Sequence, residues 1–189
     1  MRFFLFLFLF IFGCVPEYEK VNGIPPQSQV YAEESRPKSD GKEVNVLTGI
    51  AIAITDGDTF TLKDSEGEEH RIRLGEIDAP EKSQEFGKES KNILGNMILD
   101  KQVTVYWLKK DRFDWKTTDH KTKNGRIIGG VFLENESVNR KLVEMGAAWH
   151  YTDFSKDQTI KAAQEYAKEN KFGLWTNENP TPPWKWRKK

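Results

Sequence analysis

The stretch ITDGDTFTL, residues 54–62, sets Asp56 and Asp58 around one glycine between two runs of alternating apolar residues. Further on, RLGEIDAPE (73–81) supplies Asp78 near the end of another apolar run, with Arg73 before it and Glu81 just beyond. Adjacent strands of a meander bring residues separated in sequence to within a few ångströms, so Asp58 and Asp78 can offer carboxylate oxygens to a single hard cation. A set made only of oxygens favours calcium or magnesium over zinc. The sole cysteine, Cys14, stands close to the N-terminus, and His70, His120 and His150 show no ligand spacing. An EF-hand does not fit, because a loop starting at Asp56 puts Thr61 where the obligatory sixth-position glycine belongs.

Each of these residues also has a plainer reading. Asp-Gly is a preferred hairpin corner that needs no ligand, so Asp56 is assigned mainly to the turn and Asp58 to the metal. Arg73 on a strand can simply face outward and pair with a carboxylate. Pro80-Glu81 can be an ordinary loop start and Gly125-Arg126 an ordinary turn, and the histidines read as surface or packing residues.

The elements that must position these groups follow from periodicity. Alternation begins at Val46 and runs through VLTGIAIAI, TFTLKD and EHRIRLGEI, with turns at Asp56-Gly57 and Ser65-Glu66-Gly67, which predicts a three-stranded meander. Between Ser83 and Asp100, Phe86, Ile93, Leu94, Met97 and Ile98 fall at helical spacing. QVTVYWLKK reads as a fourth strand and GRIIGGVFLE as a fifth. ESVNRKLVEMG predicts a helix closed by Gly146; SKDQTIKAAQEYAKENKFG predicts another, opened by Ser155 and Gln158 in capping-box spacing and closed at Gly173. Five strands, one helix after the third and two after the fifth, suit an α+β fold: a small Greek-key β-barrel with about three packed helices.

The 189 residues are 37% hydrophobic and 31% charged, which suits one domain with appendages. Lys and Arg balance Asp and Glu to a net charge of zero, so no field of the whole molecule holds a polyanion; a local site must do so. Residues 1–13, MRFFLFLFLFIFG, are too short to span a bilayer and have the pattern of a signal peptide. Cys14 follows in IFGC, which resembles the bacterial lipoprotein processing box, with Phe12 bulkier than is usual there. A lone thiol in an oxidising compartment has no disulfide partner, so Cys14 is read as lipidated and anchored to a membrane at the cell envelope; the alternative is plain secretion. The polar, proline-containing remainder of residues 14–45 is read as a flexible tether.

DGDTF, RIRLGEIDAPE, NGR at 124–126 and FGLW at 172–175, in that order and at compatible separations, resemble the staphylococcal nuclease (thermonuclease) family over residues 46–189. The resemblance implies a five-stranded OB-fold barrel and a calcium-dependent phosphodiesterase acting on DNA and RNA, with products carrying 3′-phosphates. It implies that Asp58 and Asp78 bind calcium, that Ala79 adds its backbone carbonyl, and that Arg73, Glu81 and Arg126 are catalytic. Hydrolysis needs a base for water and fixed cations for the charge building on phosphoryl oxygens. Arginine can donate two parallel hydrogen bonds to phosphate where lysine cannot. Two departures stand out: Ala79 replaces a threonine, which leaves a carbonyl ligand unaffected, and Asn124 replaces a tyrosine of the substrate pocket, so that base stacking or phosphate contact is either weaker here or supplied by Trp115, Trp149 or Tyr151.

The lysine-rich stretch KKDRFDWKTTDHKTKNG suits a substrate-contacting loop through Lys121 and Lys123, and equally a solvated charged loop. Trp184 and Trp186, in the tail 177–189, are expected to pack on the domain at 46–176 rather than stack on bases. The expected molecule is a monomeric, membrane-tethered nuclease with little base preference, since a phosphate-centred site reads no base edges. Its rival is an OB-fold binding module without catalysis; the joint presence of Asp58, Arg73, Asp78, Glu81 and Arg126 weighs against that.

Overall fold

The computed structural model describes residues 44–108 and 126–188. The signal segment, Cys14, nearly all of the tether, and Lys121 and Lys123 lie outside the described residues. Strand β1 (Val44–Ile54) runs antiparallel to β2 (Thr59–Asp64) on one side and to β5 (Gln102–Leu108) on the other. β3 (Glu69–Leu74) pairs with β2, and β6 (Arg126–Leu133) with β5. Parallel pairing of β3 with β6 closes the five strands into a barrel. Closure removes exposed sheet edges, and a register shift between Ala51 and Ala53 lets the long β1 bend around it.

Alternation sorts the side chains. In β3, His70, Ile72 and Leu74 point inward, while Arg71 and Arg73 share the outer face. Phe60, Leu62, Ile72, Leu74, Val105 and Val131 have no exposed surface and fill the barrel; burying each such side chain contributes about 1.5–3 kcal/mol. Helix α1 (Gly87–Ile98) covers one end with Leu94 and Ile98. Helix α2 (Val138–Glu144) begins where the Ser137 side chain accepts from the Arg140 N–H, and it buries Leu142 and Val143. Helix α3 (Gln158–Glu169) packs on α2 through Ile160, Ala163 and Ala167.

The elements depart from the sequence expectation in three places. The cap of α3 is Asp157, whose side chain accepts from the N–H groups of Thr159 and Ile160; Ser155 instead accepts from the Asp157 N–H and donates to Glu76. Two two-residue strands, β4 (Ile77–Asp78) and β8 (Trp149–His150), pair with each other outside the barrel, and β7 (Glu136–Ser137) adds to β6. The tail forms a short helix α4 (Pro183–Trp186) packed against the domain. Gly146 and Gly173 sit back to back, both at positive φ, with the Leu174 N–H donating to the Gly146 carbonyl at 2.9 Å. A Cβ on Gly146 would run into the Phe172 carbonyl, so only glycine lets the ends of α2 and α3 meet there.

Candidate active site

The β1–β2 hairpin creates the first half of the site. Asp56 Oδ1 accepts from the Asp58 N–H at 3.2 Å, an Asx turn, so Asp56 shapes the corner. Gly57 lies against α1: a Cβ there would strike Ser90 Oγ and stand 2.8 Å from the Ala79 Cβ. With the turn so confined, Asp58 points inward and is 3% exposed. Its Oδ1 accepts from Thr59 Oγ1 at 3.0 Å and from Arg73 Nη1 at 2.8 Å; its Oδ2 accepts from the Ala79 N–H at 2.9 Å.

The second half comes from β4, which carries Asp78, wholly buried, alongside Trp149 of β8. Arg73 Nη2 donates to Asp78 Oδ1 at 2.7 Å, so one guanidinium bridges the two aspartates. Glu81 follows on the loop to α1, its carboxylate partly exposed and its N–H donating to Gln84 Oε1. Arg126 opens β6 with its side chain exposed, opposite Arg71 in the parallel register, and Arg73 faces Ile128. Arg73 and Arg126 thus share the outer face of neighbouring strands, two residues apart in register, roughly 8 Å between Cα atoms by strand geometry.

A sixth group, absent from the sequence expectation, completes the arrangement. Arg187 of the C-terminal tail donates from Nη2 to Asp78 Oδ2 at 2.7 Å, and from Nη1 to Asp78 Oδ1 at 3.2 Å and Glu81 Oε1 at 2.7 Å. A basic chain end was the only signal in the sequence, and no spacing rule connects residues so far apart. Gln84 Nε2 also donates to the Thr181 carbonyl at 2.5 Å, fixing the tail beside Glu81.

Burial pushes the Asp58 carboxyl up to about 7 even though the Arg73 charge opposes it. Burial works against the charge on Arg73 too, but there the attraction of Asp58 and Asp78 prevails and its pKa rises. The donor set is chemically apt for a hard cation: Asp58, Asp78 and Glu81 bring oxygens alone, and the buried Asp58 carboxylate is short of positive charge. The Ala79 N–H donates to Asp58 and so ties residue 79 to the same carboxylate.

Trp149 is buried, edge-on to Trp175 at 4.4 Å and to Trp184 at 5.6 Å between ring centroids. Tyr151 lies flat on Trp184, 5.1 Å apart and 9° from parallel. Trp184 therefore packs on the domain, next to the tyrosine singled out as a substrate contact. A second acidic cluster, Asp64, Glu68 and His70, sits at the β2–β3 hairpin, the far end of β2 from Asp58. Asp64 already accepts from the N–H groups of Glu66 and Glu68, both at 2.9 Å, and pairs with His70 Nε2 at 2.7 Å, a turn latch.

Comparison with known proteins agrees with this geometry. The sequence model described as "Staphylococcal nuclease homologue" matches residues 71–177. An "uncharacterized endonuclease" of Escherichia coli is 37% identical over 142 residues, 75% of this chain and 85% of that protein. Another of that description from Haemophilus influenzae is 36% identical over 137 residues, 72% of this chain and 71% of its own. A staphylococcal-like nuclease of Arabidopsis thaliana is 32% identical over 118 residues, 62% of this chain and 33% of its own.

Proposed function

Because the chain belongs to the staphylococcal nuclease homologue family, we propose that it hydrolyses the phosphodiester backbone of DNA and RNA with little base preference, using calcium at Asp58 and Asp78. The chain is a hydrolytic nuclease; ion, substrate range and residue roles are the proposal. One observation carries it: two buried carboxylates, one from the β1–β2 corner and one from β4, converge on a single guanidinium, at 2.8 and 2.7 Å, with a partly exposed glutamate alongside. Buried charge at this density costs several kcal/mol per ion, and function is the reason a fold keeps it.

In this site Glu81, the least buried acid, orients and deprotonates the attacking water. Arg126, on the outer face, and Arg73, once substrate arrives, each offer a two-pronged donor to the phosphoryl oxygens as charge builds on them. The ion supplies Lewis-acid neutralisation of a phosphoryl oxygen. Asp58 and Asp78 would hold it, with the Ala79 carbonyl as a further ligand, and the Thr59 and Ala79 donors orient Asp58. Tyr151, with Lys121 and Lys123, is assigned to the substrate path; Trp149, expected from the sequence to join them, is instead buried against Trp175 and Trp184 and serves packing. Lipid on Cys14 would hold the exported enzyme at the cell envelope.

Purified protein should degrade plasmid DNA and ribosomal RNA with calcium and stop with a chelator. Binding without breakdown would leave a non-catalytic OB-fold module instead. Glu81→Ser and Arg126→Gly should each lower the rate by about a hundredfold or more; full activity in either would remove that residue from the mechanism. Labelling with a palmitate analogue should mark the wild type and not Cys14→Ser.

A further inference from the structure

Both oxygens of Asp78 are occupied. Arg73 holds Oδ1 from the barrel side, and Arg187 grips both Oδ1 and Oδ2 while reaching Glu81. Arg187 is the more solvent-exposed of the two, 41% against 20% for Arg73, so it stands on the side from which an ion must enter. With Asp58 ionised, as a ligand of the ion must be, three carboxylates facing two guanidiniums leave one negative charge. A divalent ion added on top turns the cluster positive, whereas one that replaces Arg187 brings it to neutrality. Three N–H donors already use most of the roughly four lone-pair sites of the Asp78 carboxylate, so an ion seated on those oxygens competes with the Arg187 guanidinium for them and is repelled by its charge.

The tail is built to permit the exchange. Pro183 is buried, Trp184 lies on Tyr151, and the Thr181 carbonyl is held by Gln84, so the segment stays docked. Arg187 itself comes at the end of the short helix α4, its N–H on the Pro183 carbonyl at 3.0 Å, and its side chain can swing out without moving that anchor. We infer that Arg187 is the resident cation of the acidic site, a tethered competitor that the divalent ion must displace, and so the residue that sets the ion concentration the nuclease requires. This holds on the assignment of Asp58 and Asp78 as the ion's carboxylates. An ion pair at a protein surface would need none of this geometry; here the acceptor is wholly buried and gripped at both oxygens.

Calorimetric titration of calcium into the full chain tests it, with the wild type, Arg187→Gln, Arg187→Lys and Asp78→Asn side by side. Loss of a charge-assisted pair with Asp78 should tighten calcium binding by about tenfold or more in Arg187→Gln, with Arg187→Lys in between. The calcium needed for half-maximal DNA cleavage should fall in step. Calcium should also shift the Arg187 Nε–H resonance of the wild type, identified by its loss in Arg187→Gln. Equal or weaker binding in Arg187→Gln overturns the competition while leaving the metal site in place. No binding in any variant, or wild-type-like binding in Asp78→Asn, overturns the metal assignment and the competition with it.

Discussion

Arg73 is the residue on which the site hangs. It offsets two carboxylates that burial would otherwise disfavour, Asp58 above all. Removing one partner of a buried pair leaves an uncompensated charge, so Arg73→Ala should destabilise the ion-free protein by about 3–5 kcal/mol. Arg73→Lys should recover only part of that, because a single ammonium cannot reach Asp58 and Asp78 in the fork geometry of a guanidinium. Urea unfolding with chelator present gives the measurement, and a loss below about 1 kcal/mol for Arg73→Ala would place the pair in the weak class of surface bridges. Glu81 offers the contrast. Its carboxylate is 40% exposed and touches the half-exposed Arg187, so Glu81→Ser should leave the unfolding midpoint nearly unchanged while the cleavage rate collapses. Asp58, Arg73 and Asp78 were legible in the sequence because the pairing of β2 with β3 sets the corner that carries Asp58 beside Arg73, and Asp78 follows Arg73 by only five residues. Arg187 was not, because the contact joins the chain end to a loop more than a hundred residues earlier, and charge alone does not say where a tail lands.

At the scale of elements, the site depends on how tightly the β1–β2 corner is pressed against α1. Gly57 has no room for a Cβ between Ser90 and Ala79, and Ser90 is itself fixed, wholly buried, by donating to the Ala147 carbonyl at 2.7 Å. Gly57→Ala must push the corner outward, and overpacking of this kind costs about 1–3 kcal/mol. Since Asp58 is the next residue, the same displacement should loosen its bonds to Arg73 and Ala79 and lower activity beyond what the lost stability explains. Thermal unfolding and cleavage rates below the transition distinguish the two effects; an unfolding midpoint and activity both like the wild type would show that the corner is free to move. The five barrel strands and three main helices follow from apolar period, since alternation and helical spacing over six or more residues are local signals. β4 and β8 escaped because two-residue strands have no period, and the parallel closure of β3 on β6 is a long-range pairing. The Asp157 cap was missed for a different reason: Ser155 satisfies the same spacing rule, and only the chain path shows that it bonds Glu76 instead.

Over the whole molecule, the balance of charges means that no global field gathers substrate, and affinity must come from a few phosphate contacts. If Lys121 and Lys123 make two of them, alanine at both should reduce the slope of log affinity against log salt by about two for duplex DNA; an unchanged slope returns the loop to solvent. Stability has its own response to pH. His150 is buried in β8, with neither ring nitrogen hydrogen-bonded among the described residues, and burial pushes its pKa below the ordinary 6.5; Asp157 opposes this, while Lys156 and Lys161 reinforce it. The folded protein therefore binds fewer protons than the unfolded chain once the pH drops below 6.5, and stability falls from there down to the folded-state pKa of His150, beyond which the loss levels off. Asp58 and Glu76, both raised chiefly by burial, act in the opposite sense, losing stability as the pH climbs, but they are common to wild type and variant and cancel in the difference. His150→Leu, which puts no titrating group there, should remove this part of the decline. Urea midpoints measured between about pH 7.5 and about pH 5, with chelator present throughout, should show the wild type losing more stability on acidification than His150→Leu; parallel curves would mean that His150 takes up its proton in the folded state as readily as in the unfolded one.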